Sequence, residues 1–138
     1  MKKLFLLPIL VLFFSCEVEG EFTKSIEDIS PISPVASVLY SGNFVPTSGI
    51  NVAGQAKIIS ENGSLKLELS EFSVSSGPDL KVYLSKSSSP DEFITLGNLT
   101  SSRIYSIPNV VNFSEYTHVL IHCQQYNHLF AIAALTQN

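Results

Sequence analysis

Apolar and polar residues alternate with a period of two along most of the chain after residue 35. The stretch 65–70 places leucine at every second position, and residues 80–85 and 118–123 follow the same pattern. Alternation with this period predicts β-strands whose two faces meet different surroundings. Residues 129–134 are apolar on both faces, which is typical of a strand in the middle of a sheet. We therefore predict strands over residues 37–44, 55–60, 65–70, 80–85, 93–96, 103–107, 118–123 and 129–134.

Clusters of Gly, Pro, Asn and Ser separate the predicted strands. Asn62-Gly63 lies between two alternating stretches and is the strongest signal for a tight β-hairpin, because both residue types tolerate a positive φ. The one candidate for a helix, residues 113–116, would make a single turn at most. About eight short antiparallel strands predict an all-β fold, either a β-sandwich or a small barrel. A chain of 138 residues has room for a single domain.

The first sixteen residues follow a different pattern. Two lysines precede an unbroken apolar run over residues 4–14, and Ser15 and Cys16 follow it. The run would rise only about 17 Å as a helix, which is too short to cross a hydrocarbon core of about 30 Å. A basic start, a short apolar run and a small residue before a break are typical of an export signal. The sequence therefore predicts a lipoprotein signal peptide over residues 1–15, an acidic flexible tether over 16–35 and a β domain over 36–138.

Cys16 is the predicted lipidation site, since Phe-Phe-Ser-Cys resembles a bacterial lipobox with Phe13 in place of the usual leucine. Two or more acyl chains on this residue would anchor the protein stably to a membrane. We expect a protein exported to the bacterial cell envelope, with the outer membrane as its expected location. The alternative is an ordinary secretory signal, which would leave Cys16 free to pair with Cys123, the other cysteine.

Charge and motifs limit the possible functions. Without the two leader lysines the chain keeps six basic and twelve acidic residues, a net charge of −6. Acidity without clustered Lys and Arg argues against nucleic acid as a partner. The sequence has no nucleophile elbow, zinc-protease helix, phosphate-binding loop or Cys-x-x-Cys motif. Whether the protein is an enzyme therefore stays open, and the absence of these motifs favours a non-enzymatic role.

All three histidines lie within eleven residues, together with Cys123. Alternation places His118 and His122 on one face of a strand and Cys123 on the other, and His128 follows the next turn. Thiolate and imidazole are ligands that suit copper or zinc, so a metal site is one interpretation of the cluster. A copper site like that of cupredoxins would also need an upstream histidine and an axial methionine, and the exported chain has neither. The alternatives are outward-facing histidines and a cysteine packed as a small apolar residue.

Two segments resemble signatures of a known family. Residues 76–85, Ser-Gly-Pro-Asp-Leu-Lys-Val-Tyr-Leu-Ser, resemble the Gly-Pro-Asp-Leu-x-Val-x-Leu segment of the DM-thirteen domain, an electron-transfer-like module. Residues 116–123, Tyr-Thr-His-Val-Leu-Ile-His-Cys, are similar to its Tyr-x-x-Val-x-Ile-x-Cys signature. The resemblance spans residues 38–135 and implies an all-β domain, found in bacteria as a single lipoprotein.

The same resemblance implies a redox role centred on Cys123. This chain departs from the family at His122, where tryptophan is usual, and at Ala131, where glycine is usual. The imidazole of His122 or His128 would favour the thiolate if it came within reach of the sulfur. Gly77 and Pro78 belong to the first signature, and Asp79 is expected to accept backbone N–H groups of its turn, with a position facing Cys123 as the alternative.

Three functions remain open on the sequence. The first is a lipid-anchored module that exchanges electrons with a redox partner through Cys123. The second is a non-catalytic binding or structural lipoprotein with a packed cysteine, whose tyrosines contact a glycan or protein partner. The third is a copper- or zinc-binding module that uses the histidine cluster. For the second function we expect four exposed tyrosines, Tyr40, Tyr83, Tyr105 and Tyr126.

Overall fold

A computed structural model describes residues 36–138 of the chain. These residues form nine β-strands. The predicted signal peptide, the predicted tether and Cys16 lie outside the described residues. The strands are β1 (Ser37–Pro46), β2 (Val52–Glu61), β3 (Ser64–Val74), β4 (Leu80–Ser85), β5 (Phe93–Asn98), β6 (Ile104–Ile107), β7 (His118–Cys123), β8 (His128–Ala134) and β9 (Thr136–Gln137).

Eight of the strands follow one another in a single antiparallel sheet, in the order β5-β4-β7-β8-β1-β2-β3-β6. The sheet curls until its two end strands, β5 and β6, approach each other, so it forms a nearly closed barrel. The all-β prediction is confirmed, and of the two predicted shapes the structure is a barrel. β9 adds a short ninth strand beside β1.

β1 joins the two halves of the barrel because it changes partner along its length. Residues Ser37 to Asn43 pair with β2, whereas Phe44 to Pro46 pair with β8. Gly42 lies just before this change of partner, and a Cβ atom there would lie 2.1 Å from the carbonyl oxygen of Ala134. Only glycine permits so close an approach of two backbones.

The strands form where the alternation predicts them. β4 and β7 begin and end at the predicted residues, and β8, predicted as a central strand, lies between β7 and β1. Asn62 and Gly63 form the predicted hairpin turn with φ angles of 52° and 78°. The segment predicted as a single helical turn is a hydrogen-bonded turn, in which the N–H groups of Glu115 and Tyr116 donate to the carbonyl of Asn112.

The barrel interior is filled by the inward members of each alternating pair. Fifteen buried residues make up this core: Phe44, Ala56, Ile58, Leu67, Leu69, Val82, Leu84, Tyr105, Ile107, Val119, Ile121, Cys123, Phe130, Ala131 and Ala133. Burial of this much apolar surface is the main favourable term in folding. Among the described residues, no helix is long and apolar enough to span a bilayer.

Candidate functional site

Cys123 is the last residue of β7, and its side chain lies inside the barrel with 0% of its surface exposed. Val119 and Ile121 precede it on the same inward face, so strand alternation alone turns the sulfur into the core. Its cross-strand partners are Leu80 on β4 and His128 on β8. Cys123 is a free thiol. The sulfur therefore lies at the end of the barrel. An exposed turn follows Cys123 in the sequence, but the sulfur itself is shielded from solvent.

The Gly-Pro-Asp signature closes this end of the barrel. A Cβ atom on Gly77 would lie 2.8 Å from Cδ2 of Leu80 and 3.1 Å from ring carbons of Phe130. Glycine at this position therefore lets Leu80 and Phe130 pack inward over the end of the core that holds Cys123.

Asp79 ties the start of β4 to the end of β7. Its carbonyl oxygen accepts the N–H of Gln124, the residue after Cys123, at 3.0 Å. Its carboxylate Oδ1 lies 3.0 Å from Nζ of Lys81, so the observed partner is a side chain rather than the backbone amides expected from the sequence. The ion pair is partly exposed and contributes little stability by itself. The backbone hydrogen bond is the contact that fixes the turn beside the thiol.

His122 lies on the outer face of β7, opposite to Cys123, as alternation predicts. Only 5% of its surface is exposed, and its ring lies 5.4 Å from the ring of Tyr83. Burial lowers the pKa of His122, an effect that the Asn127 side chain partly offsets and that nearby His128 reinforces. The Nδ1 atom is buried without a hydrogen-bond partner. This imidazole is therefore held in its neutral form, and the strand backbone separates it from the sulfur.

The other two histidines occupy separate surroundings. His118 begins β7, and its Nδ1 lies 2.8 Å from the hydroxyl oxygen of Thr117, while burial lowers its pKa. His128 is exposed beside Cys123 across the strand pair, and its ring meets Phe130 edge to face at 5.2 Å. Within residues 36–138, His, Cys, Asp and Glu nowhere form a group of three that could hold a metal ion.

The expectation of four exposed tyrosines is correct for only one of them, Tyr126. Tyr83 is buried because it stacks on Phe93 with ring centroids 4.0 Å apart. Tyr105 is buried because its ring enters the core, where its hydroxyl oxygen accepts the N–H of Thr100 at 3.0 Å. Tyr40 is partly buried because it packs against the core, whereas Tyr126 is 67% exposed, as predicted for it. A binding surface built from all four rings is therefore excluded.

Sequence reasoning missed a pocket on the outer face of the sheet. The pocket has a volume of about 310 Å³ and includes Lys81, Phe93, Asn98 and Gln124. These residues are far apart in the chain, and the pairing of β4 with β5 and β7 brings them together. The only available signal was the outward position of Lys81 in its alternating stretch, which does not identify a pocket by itself.

The fold and the enclosed sulfur together define a class of protein, a small antiparallel β-barrel with one internal thiol in its described part. The sequence model of the family described as electron transfer DM13 matches residues 44–135, which include the thiol. The chain therefore belongs to this family, and membership indicates an electron-transfer-related role. No curated protein and no solved structure gave a match.

Proposed function

We propose that the protein is a lipid-anchored module of the bacterial cell envelope in which Cys123 is the redox-active group of an electron-transfer domain. The observation that carries the proposal is the position of this free thiol, inside the family-matched domain and at the end of the barrel. The anchor is Cys16, and the acidic segment that follows it holds the domain away from the membrane surface.

Burial of the sulfur limits what can react with it. A protein disulfide is too large to reach a thiol with no exposed surface, whereas a peroxide can enter through a small opening. We assign the peroxide as oxidant: the Cys123 sulfur attacks one peroxide oxygen, the O–O bond breaks, hydroxide leaves and a sulfenic acid forms. A small-molecule thiol, which can pass through the same opening as the peroxide, then condenses with the sulfenic acid and releases water. A second small-molecule thiol breaks that disulfide and restores the Cys123 thiol. Two electrons pass from the two small-molecule thiols to the peroxide.

The reaction requires local opening at the end of the barrel. Leu80 on β4 lies directly across from Cys123, and the exposed turn between Cys123 and His128 follows the thiol in the chain. Local openings of this kind cost less free energy than global unfolding, because only part of the core is disturbed. Protection by burial would also keep the thiol reduced in an oxidising compartment.

The test compares access to Cys123 with global stability. Under native conditions, iodoacetamide labels the thiol of the purified full-length protein, dimedone labels the sulfenic acid formed after peroxide treatment, and peptide mass spectrometry locates each adduct. Leu80→Ala should accelerate labelling of Cys123 at least tenfold beyond the rate that global unfolding explains. Ile107→Ala is the matched control, because it removes the same kind of side chain from β6, which does not pair with β4 or β7. If both variants label in proportion to their loss of stability, the proposal is wrong.

The second candidate function is a non-catalytic binding or structural envelope lipoprotein, and the full burial of Cys123 favours it. A cysteine packed among apolar side chains behaves as a small hydrophobic residue. In that case peroxide followed by dimedone gives no adduct on the folded protein, and iodoacetamide labels Cys123 only when urea unfolds the chain. Dimedone labelling of the native protein after peroxide treatment would exclude this candidate.

A further inference from the structure

A second feature of the molecule lies outside the barrel, on the face opposite to Cys123. A shallow pocket of about 310 Å³ opens where β4 meets β5, beside the end of β7. Its lining combines one aromatic pair with several hydrogen-bonding side chains: Lys81, Tyr83, Phe93, Thr95, Asn98 and Gln124. Pockets of this kind, partly apolar with a few convergent polar groups, are typical of small-molecule sites.

Phe93 supplies an exposed aromatic surface in the pocket. Its side chain is 41% exposed, and its ring is nearly parallel to that of Tyr83, with 17° between the planes. Tyr83 is itself fixed, because it is buried and packs against His122. The exposed ring is therefore held in place by one fixed, buried neighbour, and stacking of a ligand on it costs little side-chain entropy of the protein.

The polar side of the pocket carries compensated charge. The ammonium group of Lys81 pairs with the carboxylate of Asp79 at 3.0 Å and also donates to the side-chain oxygen of Asn98. The remaining lining side chains, Thr95 and Gln124, are neutral donors and acceptors. A neutral ligand rich in hydroxyl groups suits this environment better than an anion, because the cation is already paired.

A bulge shapes the wall of the pocket. The register between β4 and β5 shifts between Val82 and Tyr83, and Gly97 there has a φ of 125°. A Cβ atom on Gly97 would meet nothing within 4 Å, so the backbone borders open space. Bulges with glycine re-aim a strand locally, and this one leaves room above the sheet beside Phe93.

We propose that this pocket binds neutral carbohydrate, with the apolar face of one pyranose ring on Phe93 and its hydroxyl groups on Asn98, Gln124 and Thr95. A pyranose has one face of C–H groups and an edge of hydroxyls, which matches an aromatic surface bordered by amides and a hydroxyl. The volume is at the lower end of the range of ligand pockets and fits one or two sugar rings. This binding function is independent of the thiol, since the two sites lie on opposite faces of the sheet.

Titration of the full-length protein with cellotetraose and with chitotetraose tests the proposal, with amide chemical shifts as the readout. At least one of the two oligosaccharides should bind with millimolar or tighter affinity, and the pair distinguishes plain from N-acetylated sugars. Phe93→Ala should weaken binding at least tenfold, and Phe93→Trp should retain it, because tryptophan restores the stacking surface.

Tyr126→Ala is the matched control, because Tyr126 is another exposed aromatic residue outside the pocket. This variant, and Cys123→Ala, should bind as the unmodified protein does. Absence of binding by both oligosaccharides, or equal losses in Phe93→Ala and Tyr126→Ala, would overturn the carbohydrate proposal. Neither result affects the redox proposal, because the labelling of Cys123 tests that proposal separately.

Discussion

Two consecutive residues, His122 and Cys123, illustrate how strongly a β-strand separates chemical environments. The sulfur lies in the apolar core, and the imidazole lies on the outer face against Tyr83. Successive side chains of a strand point to opposite sides, so closeness in sequence does not bring these two groups into contact. His128 is the histidine whose backbone lies opposite that of Cys123 across the strand pair, and its exposed ring packs edge to face against Phe130.

The buried imidazole of His122 predicts a dependence of stability on pH. Burial lowers its pKa below the unfolded value of about 6.5, so near pH 6 the unfolded chain binds more protons than the folded protein. Stability is therefore complete above about pH 6.5 and is lost as the pH falls through the folded-state pKa. His122→Phe should reduce this loss and should raise the stability at pH 7.5 by about 1 kcal/mol, because it removes an unpartnered buried nitrogen.

Urea unfolding of both proteins at pH 7.5 and pH 5.0 measures the effect. Part of the acid sensitivity should remain in His122→Phe, because burial lowers the pKa of His118 as well. The double variant His118→Phe, His122→Phe should be less sensitive to acid than the single variant His122→Phe. If the unfolding midpoint falls equally in the unmodified protein and in the double variant, buried histidines are not the cause of acid sensitivity.

Two substitutions of Cys123 distinguish the effect of lost side-chain volume on stability from the effect of a buried polar group. Cys123→Ala should cost about 1–3 kcal/mol of unfolding free energy, because it leaves a small cavity in a fully buried position. Cys123→Ser keeps the volume but buries a hydroxyl group among apolar neighbours, so it should cost at least as much. Urea denaturation measures both losses. A serine variant as stable as the original protein would indicate that a polar partner or water reaches this position.

At the scale of the strand, β1 changes partner at a point where its backbone comes very close to that of Ala134, at Gly42. Gly42→Ala should destabilise the protein by about 3 kcal/mol, the upper end of the cost of overpacking, because the new methyl group would collide with the backbone at Ala134. Gly49→Ala is the control, since its Cβ would meet nothing within 4 Å. It should cost only about 1 kcal/mol, for the positive φ of 81°. Thermal unfolding compares the two, and equal losses would contradict the steric explanation.

Local alternation was sufficient to locate the strands but not to arrange them. β4 and β7 match their predicted bounds, because burial of one face imposes a period that is visible in the sequence. The choice of a barrel over a sandwich depends on Phe44–Pro46 pairing with Ala131–Ala133, a contact between residues far apart in the chain. β9 was not predicted because two residues are too short to establish a period.

For the candidate site as well, the sequence predicted the positions of side chains along a strand but not their contacts with neighbouring strands. Alternation placed Cys123 and His122 on opposite faces of the strand, and the structure agrees. It could not predict that Tyr83 is covered, because the covering ring is Phe93 on the neighbouring strand. Likewise, the approach of Gly77 to Phe130 depends on tertiary packing that no local pattern encodes.

At the scale of the whole molecule, the burial of Cys123 bears on whether it can form a disulfide with Cys16. A disulfide between Cys16 and Cys123 would require the chain near residue 16 to enter the core, because the Cys123 sulfur has no exposed surface and bonded cysteines need Cα atoms about 4.4–6.8 Å apart. The burial of Cys123 therefore disfavours the Cys16–Cys123 disulfide that the secretory alternative allows.

The proposed lipidation predicts that Cys16→Ala is not held at the membrane, because acyl chains on this residue would supply the anchoring free energy. After expression in a bacterium that processes lipoproteins, the unmodified protein should enter the detergent phase of Triton X-114. Cys16→Ala should remain in the aqueous phase. Cys123→Ala is the control and should partition like the unmodified protein. Mass spectrometry of the mature amino terminus should find an acylated Cys16. An unmodified amino terminus would contradict the anchor, and a Cys16–Cys123 disulfide in the exported protein would contradict both the anchor and the buried position of the thiol.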